Sequence, residues 1–230
     1  VVKKLVAQYR FDANTYEDLI PEFNTEFSSD KYEVYDSVSE IVIDNIQWEE
    51  GAISSEHGAN YNRTDRVRCV GYYSILPNTT YKCVNNYFNI FWYDESKKFI
   101  SWVFKDKEQL VVSPTNAKYV RVYADRVVND CGISAKLITR SIESKNGDLP
   151  TLMRFGQVWT NGEVQQDYTR CLLKVLDMNT SELTNCSNMF RYCTNLTSIN
   201  CNWNTSNVTN MKDMFTNCTN LAQLDVSNFN

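Results

Sequence analysis

Trp203-Asn204-Thr205-Ser206-Asn207-Val208-Thr209-Asn210-Met211-Lys212-Asp213-Met214-Phe215 repeats, 25 residues on, the pattern of Met178-Asn179-Thr180-Ser181-Glu182-Leu183-Thr184-Asn185-Cys186-Ser187-Asn188-Met189-Phe190. The offset persists past this stretch. Cys193 pairs with Cys218, Thr194-Asn195-Leu196 with Thr219-Asn220-Leu221, Ile199 with Leu224 and Cys201 with Val226. One residue then slips, so that Phe229 falls in the slot of Trp203. A fixed period of this length carrying Leu-x-x-Leu-x-Val (Leu221, Leu224, Val226) predicts a solenoid. The Leu/Ile/Val positions line one short strand per turn. The Met-Phe pair plugs the core from the opposite side, on a helical or 3₁₀ turn. Residues 171–230 hold 13 Asn and only seven charged side chains. Such a composition suits corners in left-handed conformation, whose side chains bond to backbone, rather than a charged helical surface. Residues 221–229 begin a rung with no cap after it. An uncapped end exposes apolar core, so further repeats or a covering partner are expected there.

These repeats, with Cys218-Thr219-Asn220-Leu221 and Leu224-Asp225-Val226-Ser227-Asn228-Phe229-Asn230 closing them, resemble the BspA-like leucine-rich repeat family over about residues 172–230. That family is known from bacterial surface proteins, gut-associated organisms and the phages that infect them. The resemblance implies extracellular binding, often adhesion, and no enzymatic chemistry.

The middle of the chain, about 40–140, reads as all-β. Ile41-Val42-Ile43 is a short apolar run, and Arg66-Val67-Arg68-Cys69-Val70 alternates with period two. Residues 81–84, 88–93, 99–104 and 119–124 are further strands. The turns Leu76-Pro77-Asn78-Thr79-Thr80, Asp94-Glu95-Ser96-Lys97-Lys98 and Ser113-Pro114-Thr115-Asn116 separate them. Six or seven short strands with polar turns predict an antiparallel β-sandwich or jelly roll. The order of strand and turn residues over about 44–128 resembles jelly-roll modules of phage tail and baseplate proteins. Those are in turn similar to galactose-binding-like carbohydrate modules. No ligand motif transfers by position.

On the flanks, Leu5-Val6-Ala7-Gln8-Tyr9-Arg10-Phe11 reads as a strand, and Thr15-Tyr16-Glu17-Asp18-Leu19-Ile20-Pro21 as one helical turn ended by proline. Leu149-Pro150-Thr151-Leu152-Met153-Arg154-Phe155-Gly156 reads as a second strand-like piece. Relatives of the repeat family carry similar flanks with little between them. By that resemblance the chain divides into an N-terminal cap segment (1–39), an inserted β-sandwich (40–140), the second part of the cap (141–171) and the repeats (172–230). The expected fold class is mainly β: a jelly-roll, galactose-binding-like sandwich plus a leucine-rich-repeat-type solenoid.

Composition narrows the function. The chain has a net charge of −5 and a pI near 5.0, which disfavours nucleic-acid and anionic-membrane binding. Its apolar runs are too short to span a bilayer, so no membrane insertion is expected. No charged-then-apolar leader opens the sequence. The only histidine, His57, excludes mechanisms that need two imidazoles and lies in the polar run Ser55-Glu56-His57-Gly58-Ala59-Asn60. No Gly-rich phosphate loop, G-x-S-x-G or metal-ligand spacing occurs, so no cofactor and no metal are expected. The 28 acidic residues carry no spacing that marks a glycosidase pair. The expected function is non-enzymatic and adhesin-like: a phage tail or virion-associated component that recognises a host-surface glycan or protein, made in the host cytoplasm. The alternatives are a structural virion component contacting other virion proteins or copies of itself, and a bacterial cell-surface or secreted adhesin. A glycoside hydrolase comes last.

Sugar sites pair an exposed aromatic with hydrogen-bonding groups. Of the sandwich tryptophans, Trp92 shares a strand face with Phe88 and Ile90, and Trp102 with Ile100 and Phe104, so both are expected in the core. Trp48, beside Glu49-Glu50-Gly51 near a strand end, is the candidate for exposure. His57, Asn60 and Arg66 on the neighbouring loop are the candidate hydrogen-bonding groups.

None of the eight cysteines forms C-x-x-C, and Cys186 and Cys201 align with Met211 and Val226 one repeat later. A position shared with Met or Val is that of a small buried hydrophobe. Most of the cysteines are therefore expected to be free and buried, as suits folding in a reducing cytosol. Alkylation of the unfolded, unreduced protein should label most thiols by intact mass; recovery of four disulfides would overturn this.

Overall fold

The computed structural model describes residues 2–12, 30–126, 130–155, 157–160, 163–167, 172–199 and 203–229. Among these the protein is mainly β, with several antiparallel sheets and no helix. The chain opens with β1 (Lys4–Asp12) and β2 (Tyr32–Ile43). Then follow β3 (Trp48–Glu50), β4 (Ala52–Ile53), β5 (Asn60–Tyr61), β6 (Val67–Cys69), β7 (Tyr73–Ser74), β8 (Thr80–Val84), β9 (Phe88–Tyr93), β10 (Phe99–Lys105), β11 (Leu110–Val112) and β12 (Tyr119–Ala124). The long β13 (Gly132–Ser144) follows. The remainder holds β14 (Gln157–Thr160), β15 (Glu163–Asp167), β16 (Leu172–Met178), β17 (Ser198–Ile199) and β18 (Gln223–Leu224). The chain forms two compact units. One is Val1–Ser39 with Leu137–Asn230, the other Glu40–Lys136. The expected helical turn at Thr15-Tyr16-Glu17-Asp18-Leu19-Ile20-Pro21 lies outside the described residues.

In the unit formed by the two chain ends, β1 pairs antiparallel with β13 on one side and with β16 on the other. From β16 the pairing turns parallel: Val175 faces Ile199 on β17, and Ile199 faces Leu224 on β18. Each 25-residue repeat thus adds one two-residue strand. Between strands the chain runs through successive turns closed by three-residue bonds, such as Met189 N to Cys186 O (3.2 Å) and Cys193 N to Phe190 O (3.0 Å). These bonds are of the 3₁₀ type, one of the two turns expected there, as isolated turns rather than a continuous helix. Alternate amides bond to the next repeat: Cys186 N to Asn210 O (2.8 Å), Asn188 N to Lys212 O (2.9 Å), Phe190 N to Met214 O (2.8 Å) and Tyr192 N to Thr216 O (2.8 Å). The period reaches the dihedral angles. Asn188 and Asp213 have φ of 58° and 57°, and Tyr192 and Asn217 both 62°.

Residues 149–155 form no strand, only an isolated bridge from Leu152 to Asn185, and Gly156 lies outside the described residues. Thr151 and Phe155 bond instead to the first repeat, Thr151 O accepting from Thr184 N (2.9 Å) and Phe155 N donating to Met189 O (2.9 Å). This brings Phe155 under the aromatic column. Phe155 stacks on Phe190 at 4.7 Å and Phe190 on Phe215 at 5.5 Å, with ring planes 14° and 8° apart. Val6, Tyr9 and Phe11 of β1, Leu172 and Val175 of β16, and Leu183, Cys186 and Met189 complete this core.

In the other unit, one sheet has the order β10-β9-β12-β6-β3, with β7 also on β12. The N-terminal end of β13 pairs with β8, which pairs with β11. One buried cluster draws on both sets: Cys69, Phe88, Ile90, Trp92, Val120 and Val122 from the first, Tyr81, Cys83, Val111 and Ile133 from the second. Trp92 is in the core, as its alternation with Phe88 and Ile90 required. Trp102 and Phe104 are not, being 43% and 51% exposed. A register shift between Phe99 and Ser101 puts Trp102 opposite Phe91 and Phe104 opposite Asn89. One irregular residue inverts every later side chain in a strand, so it is Ile100 and Val103 that pack against the core. Ile41-Val42-Ile43 is the end of the twelve-residue β2, on which Val42 is exposed.

The six described cysteines are free; Cys69, Cys83, Cys131, Cys186 and Cys193 are buried and Cys218 half-buried. Cys171 and Cys201 lie outside the described residues. Burial pushes the Cys83 thiol up to about 12 and those of Cys186 and Cys218 up to about 11, so none is a ready nucleophile near neutral pH.

Two substitutions test this packing by chemical denaturation. Phe190→Ala removes the central ring of the column and should cost about 3–5 kcal/mol. Tyr192→Asn places at a left-handed position the residue type its equivalent Asn217 already has, and should gain about 0.5–1 kcal/mol. Loss of stability in the second variant would contradict the equivalence of the two turns.

Candidate functional site

Strand alternation makes the two faces of the β9 sheet different. Phe88, Ile90 and Trp92 point into the core, so Asn89, Phe91 and Tyr93 point away from it. On β12, Val120, Val122 and Ala124 point in, and Tyr119, Arg121 and Tyr123 out. The outer face has a small apolar cluster of its own. Ile53, Phe91 and Tyr93 are buried there, with Phe99, Tyr119 and Tyr123 around them.

Residues 51–61, including the β4–β5 pair, lie over this face, and side chains of the sheet bond to the segment. Arg68, on β6, is buried. Its Nη1 donates to Ala52 O (3.2 Å) and Tyr61 O (2.8 Å), and its Nε to Glu49 Oε1 (2.6 Å). Gly51 has φ +135°, and a Cβ there would lie 2.3 Å from Arg68 Nη1, so a side chain at 51 would displace the guanidinium. The Tyr93 hydroxyl donates to Gly58 O at 2.6 Å. Burial raises that hydroxyl well above the ordinary phenol range, which keeps it a donor. Arg121, 4% exposed, donates from Nη1 to Asn60 Oδ1 (2.7 Å) and from Nη2 to Cys69 O (2.8 Å), and packs under the Tyr72 ring at 5.1 Å. Arg68 is neutralised by Glu49; among the described residues no carboxylate pairs with Arg121.

The four residues singled out from sequence do not share one site. Trp48 faces Cys69 in the β3–β6 pairing, is half-buried, and stacks on Phe88 at 6.2 Å with planes 9° apart. It belongs to the core side, whereas the 51–61 segment covers the opposite face. The physical reason is again alternation: Glu49, next to Trp48, is the residue that reaches Arg68 on the outer side. His57 and Asn60 do lie together, lining an open depression of about 490 Å³. His57 is exposed, 3.4 Å from the equally exposed Glu56, and nothing orients its imidazole for proton transfer. Asn60 holds Arg121. Arg66 pairs with Asp125 Oδ1 at 2.6 Å and Asp65 Oδ2 at 3.2 Å. Arg63 bonds to the same Asp65 and holds that carboxyl down at about 2.

Sequence reasoning missed the exposed aromatics of the outer face, Trp102 and Phe104. Trp102 lies on Phe91 with ring centroids 6.0 Å apart and planes at 17°, so one face is fixed on the protein while the side chain keeps 43% of its surface in water. Phe104 sits beside Tyr87 at 5.7 Å. No polar residue in the run 99–104 besides Ser101 marks the change of register. In the unit of the chain ends, a depression of about 410 Å³ near Asn179, Thr180 and Asn204 is lined by groups already engaged. Asn179 and Asn204 accept from Ser181 and Ser206, and Thr180 Oγ1 accepts from Asn204 N. Among the described residues no group of three or more His, Cys, Asp or Glu could hold a metal ion.

Residues 163–230 match the family described as "Mycoplasma protein of unknown function, DUF285". No curated protein and no solved structure matches the chain.

Asn60→Asp tests the electrostatics under the segment. The new carboxylate would meet Arg121 Nη1 at the distance the amide oxygen now occupies, turning a neutral bond into a charge-assisted one. That should be worth about 1 kcal/mol at pH 7. The carboxyl's folded pKa would be depressed below its unfolded value. The gain is therefore complete above the unfolded pKa and lost as pH falls through the folded one. Equal effects of the substitution at pH 7 and pH 3 in urea denaturation would rule out the pairing.

Proposed function

We propose that the protein is a non-enzymatic, adhesin-like surface-binding protein, serving as a receptor-binding component of a phage tail or virion that recognises a glycan or protein on the host surface. In this reading the C-terminal repeats form a leucine-rich-repeat-type solenoid of the BspA-like kind. Parallel pairing of one short strand per repeat and amide bonds between equivalent turns support it. Residues of the other unit form an inserted β-sandwich of jelly-roll type, supported by the cluster that two sets of strands build together.

The observation that carries the functional reading is the outer face of the β9 sheet. An apolar core explains buried aromatics, but not an indole and a phenyl ring two residues apart that keep half their surface in water. Adjacent exposed aromatics mark interaction surfaces. The free, buried cysteines suit a protein that folds in a reducing cytosol before acting outside it.

Fluorescently labelled protein incubated with a panel of gut bacterial isolates should attach saturably to at least one, and unlabelled protein should compete. Absence of saturable attachment across the panel would overturn the reading in favour of a structural role.

A further inference from the structure

Two aromatic rings of the outer face stay open to water near side chains whose charges pair with one another. Trp102 and Phe104 stand on β10, an edge strand, two residues apart on one face, hence about 7 Å from each other along the strand. Each ring is supported by another. Phe91, itself fully buried, is the cross-strand neighbour of Trp102 with its ring plane 17° from the indole, and Tyr87 flanks Phe104. An aromatic side chain already fixed from below loses little conformational freedom when a ligand covers its open face.

Polar groups follow in order across the same face. The residue opposite Phe104 is Asn89 on β9, and opposite Asn89 is Tyr123 on β12. Two residues beyond Tyr123, Asp125 pairs with Arg66. The charges at this rim cancel in place, Arg66 against Asp125 and Asp65, and Arg63 against Asp65. Among the described residues, Arg63, Asp65, Arg66 and Asp125 here carry two positive and two negative charges that pair with one another. An exposed aromatic face bordered by hydrogen-bonding groups is the complement of a pyranose ring, which has an apolar C–H face and a periphery of hydroxyls.

We propose that Trp102 and Phe104 form a stacking platform for adjacent sugar units of a neutral pyranose chain, with Asn89, Tyr123 and the Arg66–Asp125 pair bonding its hydroxyls. The proposal rests on the surface-binding reading above and names its ligand class and site. Trp48, on the core side of the sheet, takes no part.

Affinity electrophoresis through gels containing mannan, xylan, β-glucan, galactan or starch tests it, with heparin as a polyanionic comparison. At least one neutral polysaccharide should retard the protein. Trp102→Ala should weaken that retardation about tenfold or more, as loss of a central aromatic contact does, and Trp102→Tyr should hold it within a few-fold. Phe104→Ala should weaken it by a smaller factor; if Trp102→Ala fails to give a cooperative melt, the Phe104 and Trp102→Tyr variants decide. Unchanged retardation of the alanine variants overturns the platform, as does retardation by heparin alone. If no neutral polysaccharide retards the protein while it still attaches saturably to bacteria, the platform fails and the surface-binding reading stands. If it neither attaches nor is retarded, both fall together.

Discussion

Backbone that leaves water must find a partner for each amide and carbonyl, and segments without helix or long strand cannot find one within themselves. That constraint organises both units. In the repeats a two-residue strand satisfies little of a 25-residue turn, so the amides of Cys186, Asn188, Phe190 and Tyr192 donate to carbonyls of the following repeat. Asn side chains close the corners locally, as Asn179 and Asn204 do with Ser181 and Ser206. Equivalent residues must then lie one above another. The stacked rings of Phe155, Phe190 and Phe215 are a consequence of this, and they fill the space it encloses. Residues 151–155 satisfy the same requirement without forming a strand, because the first repeat offers the bonds.

In the other unit the same problem arises where residues 51–61 cross a sheet that already pairs its own strands. Ser54 O and Ala59 O accept from amides of the segment itself, and three further carbonyls are met by side chains: Arg68 at Ala52 and Tyr61, and Tyr93 at Gly58. Arginine suits this task because its planar fork reaches several oxygens at once. The charge that comes with it is balanced for Arg68 by Glu49, whereas Arg121 makes do with an amide, a carbonyl and a tyrosine ring. The segment that covers part of the outer face leaves Trp102 and Phe104 uncovered, and these two rings form the proposed binding surface.

Much of this was legible in the residues. Period and slot identity predicted which repeat positions are equivalent, and the dihedral angles of Asn188 and Asp213 follow that period. Alternation on 88–93 placed Phe88, Ile90 and Trp92 in the core. Alternation on 99–104 misplaced Trp102 and Phe104, since a run of apolar residues with one serine reads the same in either register. The proposed binding surface changes place for that reason: an inward Trp102 leaves Trp48 as the exposed tryptophan, whereas the shift in β10 turns Trp102 out and the alternation of β3 puts Trp48 on the core side.

The sequence by itself determined the period of the repeats and the β character of the chain, because each depends on local pattern or on residue type. Only the tertiary structure decided which side of a strand meets solvent after a bulge, that Trp48 and the His57–Asn60 loop serve opposite faces of one sheet, and that Asn60 is tied to a buried arginine 61 residues away. These follow from register and from pairing between distant segments, and no local pattern encodes either when both faces of a strand carry apolar side chains.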